Sequence, residues 1–323
     1  MKDQDENIVE VVEHKLEKLP VIKYVFQFFH AIKLPALEGL TLYDFLRIYV
    51  RGIIRGTLTS RASAIAFSFF TAIFPFLLFI IILVPYIPVK GFEDDFRNFL
   101  NSILPPQTSD FFFENIFQNI YQDGTAGLVS FVFILSLILM ANGVNSLFAG
   151  FEKSFHQELT RGVFKQYFYA IGVALILVAL LVLTIIVLGY FQIYVVEGIL
   201  KALGSTESEL EKGEVFWYEA ARVAFFVIML YFATATIYYF GTKEGKYSKF
   251  FSAGALLTTI LIVVFSYLFG IYIDYFAAYN ELYGSIGALL IILFYLWLNA
   301  NLLLLGFELN ATIRRLKRKR KNE

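Results

Sequence analysis

The positions where this sequence could do chemistry are charged and amide side chains set inside otherwise apolar stretches. Glu219 and Arg222 stand three residues apart, a spacing that puts both on one helical face as a charge pair. Ionisable groups at membrane depth usually face a bundle interior or a wet cavity, so the pair is a candidate site. The alternative is that both side chains reach out to the outer interface. Asn142 and Asn145 lie one turn apart, with Gly143 and Gly150 seven residues apart on one side. Small residues let helices approach and amides bond across them, so packing is the preferred reading there over a transport role.

A second set lies near the C-terminus, where Asn299 and Asn301 are followed by Glu308 and Asn310. Seven residues bring Glu308 under Asn301 and eleven bring Asn310 under Asn299. Two polar stripes on roughly opposite faces predict protein or water on both sides of that helix. Glu308 sits close enough to the end of its apolar run to be expected in solvent. Pro75 removes one backbone hydrogen bond in mid-stretch and predicts a kink with a freed carbonyl near Thr71.

Catalytic signatures are missing from the sequence. His14, His30 and His156 have no HxxxH, HxH or ExxH partner, and there is no cysteine, so no metal site is legible. No glycine-rich turn follows a strand to cradle phosphate, and no GxSxG elbow presents a serine. The expectation is a non-enzyme without catalytic residues, metal or cofactor.

These polar positions have to be held by apolar elements. Hydrophobic residues make up 58% of the 323 and charged residues 17%, against roughly 45–50% and 25% in soluble domains. With a mean hydropathy of +0.66, there is more apolar surface than one globular core can absorb. Six stretches lack Asp, Glu, Lys and Arg: Ala62–Val89, Gly124–Phe151, Gln166–Val196, Val223–Thr242, Phe250–Ile273 and Leu282–Phe307. Each reaches the roughly 20 helical residues that a bilayer core of about 30 Å requires. The predicted spans are about 64–88, 125–150, 166–194, 216–241, 250–273 and 284–309. None shows the alternation of a lipid-facing barrel strand.

The fold class expected is an all-α integral membrane protein. It has an N-terminal interfacial region (1–61), a six-helix transmembrane domain (62–310) and a basic tail (311–323). The first 19 residues mix acids and bases and lack the apolar core of a signal peptide. Val21–Leu34 is too short and too charged to span and is expected to lie in the interface. Along Leu40–Gly56, Asp44, Arg47, Arg51 and Arg55 share one helical face opposite Leu42, Phe45, Leu46, Val50, Ile53 and Ile54. That amphipathic helix suits an anionic lipid surface, or equally a seat on the rest of the protein. Between spans one and two, two short amphipathic helices separated by Pro105 and Pro106 are expected in a helical extracytoplasmic loop. They would cover a cavity or rest on the outer leaflet.

Lys and Arg total 27, as do Asp and Glu, and of these cations 22 fall before span one, between spans two and three, between four and five, or after six. By the positive-inside rule both termini are cytoplasmic. The tail from Arg314 to Lys321 holds seven cations in eight residues. Directly after an apolar helix it reads as an anchor for anionic headgroups at the cytoplasmic face. No aromatic platform interleaves with it, so nucleic acid is not an expected partner. Membrane lipids are, and a homo-oligomer stays open.

The segment from Phe269 to Ala311 resembles the C-terminal signature of the YihY/BrkB family of bacterial inner-membrane proteins. The matching residues are Phe269, Gly270 and Tyr272; Tyr283, Gly284, Ser285 and Gly287; Trp297; and Gly306, Glu308, Asn310 and Ala311. Arg61, Ala62, Ala66, Phe67 and Pro75 resemble the family's first-helix pattern. The resemblance covers roughly residues 45 to 312, with departures at Tyr239–Gly241 and at Phe307, where relatives carry Pro and Ala. It implies six transmembrane helices in a bacterial plasma membrane with cytoplasmic termini. It also implies a part in transporting lipid or another amphiphilic envelope component, or in serum resistance, and brings an old ribonuclease BN label that the missing metal ligands oppose. The function expected is therefore a transporter-like membrane protein, with a non-transporting envelope scaffold and an ion-coupled small-solute transporter as the alternatives. A transporter is expected to line a cavity with Arg222, Asn145 and Asn301.

Overall fold

A computed structural model describes residues 57–83, 126–152, 161–190, 212–243, 245, 249–275 and 285–322. The interfacial segments before residue 57, the loop from Lys90 to Asp123, His14, His30 and His156, and Tyr283 and Gly284 lie outside them.

Six helices account for nearly all of the described chain: α1 (Thr57–Leu83), α2 (Ala126–Glu152), α3 (Val163–Tyr190), α4 (Lys212–Gly241), α5 (Ala253–Tyr275) and α6 (Ser285–Asn322). Through most of their length apolar residues run all the way round each helix. A helix of that kind is stable only when buried in protein or lipid, where its backbone groups bond within the segment. Five have the length and hydropathy to cross a bilayer: Phe133–Glu152, Val163–Leu188, Ala220–Gly241, Ala253–Ile273 and Leu289–Arg314. In α1 the qualifying apolar stretch, Leu58–Ile73, is shorter. The structure thus shows an all-helical protein with five helices of spanning length among the described residues, where the sequence predicts six. Pro75 falls within α1, which continues past it to Leu83.

Each helix packs on the next in sequence, and α6 returns to α1, so the six close a ring. Neighbours alternate in direction: Arg61 near the start of α1 meets Gly150 near the end of α2, and Gly254 at the start of α5 meets Asn310 late in α6. The bundle therefore has a tail end, where the starts of α1, α3 and α5 meet the later parts of α2, α4 and α6, and a far end opposite.

The core is densest at the tail end. Phe151 stacks on Phe307 with ring centroids 4.1 Å apart, and Tyr238 meets both edge-on. Glycine sets the helix spacing. A Cβ on Gly150 would come within 2.8 Å of Ile65 Cδ1, and one on Gly254 would run into the Gly306 carbonyl. Gly143 rests on Phe69 and Ala72, so the sequence reading of Gly143 and Gly150 as close-approach positions agrees with the α1–α2 contact.

Candidate functional site

Two arginines organise the tail end by the same physics. The last four carbonyls of a helix have no partner within it, and the helix dipole makes them attractive to cations. Arg61, held in the first turns of α1 by the buried Leu58, Ala62 and Ile65, donates from Nη1 to the Gly150 carbonyl of α2 at 2.9 Å. Its Nη2 donates to Glu308 Oε1 of α6 at 3.1 Å. One guanidinium thus ties three helices. Arg161, just before α3, donates to the carbonyls of Phe240 and Thr242 at the end of α4, both at 2.6 Å, while its guanidinium lies 4.0 Å above the Tyr169 ring. Burial pulls the Arg161 pKa below its ordinary value, against the opposing fields of Tyr169 and Glu152. An arginine so shifted still keeps its charge.

Neutral groups complete the layer. Tyr238 Oη of α4 donates to the Leu303 carbonyl of α6 at 2.7 Å and shares a 2.7 Å bond with Thr258 of α5. Thr234 and Thr259 join α4 to α5 at 3.0 Å. Ser252 caps α5 by accepting from Ala255 N. Asn310 accepts from Gly254 N at 2.8 Å and donates to Ser252 Oγ at 2.8 Å, so α6 helps cap α5. Every helix of the ring is joined to a neighbour here through groups that are largely buried.

The expectation that Glu308 stays solvated is overturned: it is 3% exposed and ion-paired. The helix does not end near Glu308 but runs on to Asn322, and α6 is enclosed on all sides by protein from Ala300 to Ala311. Removing one partner of a buried ion pair costs about 3–5 kcal/mol.

The remaining sequence candidates are scattered. Asn301 is buried and bonds back to the Trp297 carbonyl at 2.8 Å, as half-buried Asn299 does to that of Tyr295. Asn142 is exposed and Asn145 half-buried. Arg222 is exposed, while the side chain of Glu219 lies outside the described residues, as do those of Pro75 and Ser285. Tyr272 is exposed and stacks on Phe269; Gly287 and Gly306 are buried; Trp297 is half-buried over the core. Reading the sequence singled out Arg61, Glu308, Asn310 and Gly306 but missed Arg161, Tyr238, Thr258 and Ser252. The available signals were the Ser252 N-cap position and an arginine directly before an apolar helix.

Further toward the far end the bundle has a partly open pocket of about 320 Å³. Its wall is apolar: Phe69 and Ile73 from α1, Met140 and Val144 from α2, Leu177 from α3 and Leu296 from α6. None of Arg222, Asn145 and Asn301 lines it, contrary to the expectation for a transport cavity. Among the described residues no group of three or more His, Asp or Glu converges as a metal site.

Apolar helices of bilayer length, with polar groups paired where the helices meet, define a helical membrane protein. A family model described as "Virulence factor BrkB" matches residues 50–323, and the chain belongs to that family. Among curated proteins it is 24% identical over 264 residues to the ribonuclease-like protein YfkH of Bacillus subtilis (strain 168), covering 80% of this chain and 91% of the relative. It is 23% identical over 264 residues to a UPF0761 membrane protein of Coxiella burnetii, covering 78% and 87%. A UPF0761 membrane protein of Psychrobacter sp. (strain PRwf-1) is 22% identical over 282 residues, which cover 87% of this chain and half of the relative. No solved structure matches.

Proposed function

We propose that this protein is a six-span bundle of a bacterial plasma membrane that binds and moves a lipid or other amphiphile. α1, with 27 helical residues, is the sixth span, and both termini and the tail end face the cytoplasm. The segregation of basic residues supports that orientation. One observation carries the functional reading: a partly open apolar pocket between α1, α2, α3 and α6 stands beside an end tied together by buried polar bonds. Such a shape offers an apolar group a place out of the bilayer while denying water a path to the tail end. The basic last turns of α6 would meet anionic headgroups on the cytoplasmic side.

A second reading, an envelope scaffold that moves nothing, is favoured by that same seal. A buried ion pair and interlocked glycines are expensive to separate on every transport cycle. The ribonuclease-like name of the Bacillus relative suggests a third, which would need clustered acid, base or metal-ligating side chains.

Reconstitution into vesicles carrying labelled lipid in one leaflet tests the proposal. Transport predicts faster loss of asymmetry than in protein-free vesicles. Rates no faster than in protein-free vesicles, with zwitterionic and anionic lipids alike, would overturn it in favour of the scaffold.

A further inference from the structure

We propose that the cavity between α1, α2, α3 and α6 is a binding site for a single hydrocarbon chain of a membrane amphiphile. About a dozen carbons of the chain would lie inside, with its polar head toward the far end. The inference rests on the membrane setting of the proposed function and not on transport.

The size fits. An enclosed apolar cavity of about 150 Å³ takes a benzene-sized guest; this pocket is open along one flank, and its 320 Å³ is room for roughly twice that, or about twelve carbons, with one side of the chain left against the surrounding lipid. The lining fits as well. Among the described residues no charged side chain lines the wall, so the part of the guest seated against them has to be apolar. Met140, Leu177 and Leu296 are flexible enough to follow an alkyl chain, whereas a rigid ring system would demand a fixed shape.

Direction follows from the helices. Phe69, Val144 and Ala174 form the part nearest the tail end. Phe69 lies eight residues beyond Arg61 and Val144 six residues before Gly150, so the floor stands about 9–12 Å from the ion-paired layer. On α3 the lining continues from Ala174 to Leu181, a rise of about 10 Å. The layer of Arg61, Glu308 and Tyr238 closes the way beyond the floor, so the methyl end of the chain points at Val144 and the head points away. Two alanines keep the space open: Ala72 on α1 and Ala174 on α3 both face it. Larger residues there would occupy the volume meant for the guest.

Photolabelling of the full-length protein in lipid nanodiscs tests the site, using dodecylphosphocholine with a diazirine on its terminal carbon. Labels are expected on Phe69, Val144 or Ala174. They are also expected on the outward Leu175 and Leu183 of α3, 44% and 48% exposed, which report ordinary contact with surrounding lipid. Ala174→Phe should cut labelling of Phe69 and Val144 more than about tenfold and leave Leu175 and Leu183 labelled. If Ala174→Phe loses the outer labels too, Ala72→Leu decides by the same criterion. Labels confined to the outer face of α3 in the wild type, or interior labels that survive a filling variant, would overturn the site. Interior labels that respond as expected, together with vesicles that show no lipid movement, would keep the site and remove transport.

Discussion

From Ala300 to Ala311, α6 is buried on every face, whereas Leu289, Leu290 and Phe294 on the same helix are 37–48% exposed. The tail end is held by an ion pair, arginine caps and glycine contacts; toward the far end, the described residues of α6 are more exposed and border an apolar pocket. The difference shows where each kind of interaction is effective. In lipid, apolar residues gain nothing by facing one another instead of hydrocarbon, so helices are fastened by close packing and by polar groups that would otherwise lie unpaired. A bundle fastened at one end can keep space at the other.

The largest effect expected from breaking that contrast comes from Glu308→Ala, which removes the buried ion pair between α1 and α6 and should lower stability by about 3–5 kcal/mol. Thermal unfolding in detergent would show it, and adding Arg61→Ala should recover part of the loss. A double variant as unstable as the sum of the singles would mean the two residues act independently. A smaller effect is expected from Gly306→Ala, whose methyl would run into Thr258 and come within 2.6 Å of the Tyr238 hydroxyl; overpacking of this kind costs about 1–3 kcal/mol. At the other end, Gly270 has nothing within 4 Å of an added Cβ, so Gly270→Ala should be neutral or stabilise by up to about 1 kcal/mol through helix propensity. If the two glycine changes cost the same, the packed and open ends do not differ as described. The smallest loss belongs to Tyr238→Phe, which removes one interhelical hydroxyl and should lower stability by about 0.6–1.7 kcal/mol in the same assay.

Much of the architecture is legible without coordinates, because hydrocarbon thickness fixes how long an apolar helix must be and the runs in this chain have that length. The site is legible only in part. Glu308 could be placed near the end of its apolar run, but the arginine it pairs with is 247 residues earlier, and no local spacing announces such a meeting. Arg161 serves backbone carbonyls 79 and 81 residues away, and carbonyls carry no side-chain identity to read. Arg222 looked like the stronger intramembrane cation because it stands deeper in its run, yet it is exposed while Arg61, at the edge of its own run, is enclosed. The cavity left no trace, since residues lining an apolar hollow and residues facing lipid are of the same types.

The separation between Arg61 and Glu308 has a consequence for synthesis. The arginine leaves the ribosome with α1, and its carbonyl acceptor on α2 follows 89 residues later, but the carboxylate comes only after 247. At about 5–20 residues per second that is a wait of roughly 12–50 s. For most of its birth the nascent chain holds Arg61 without the α6 carboxylate it meets in the finished bundle. A chain truncated before Glu308 lacks that tie between the first and last helices, so it should be cleared by quality-control proteases faster than the full-length protein.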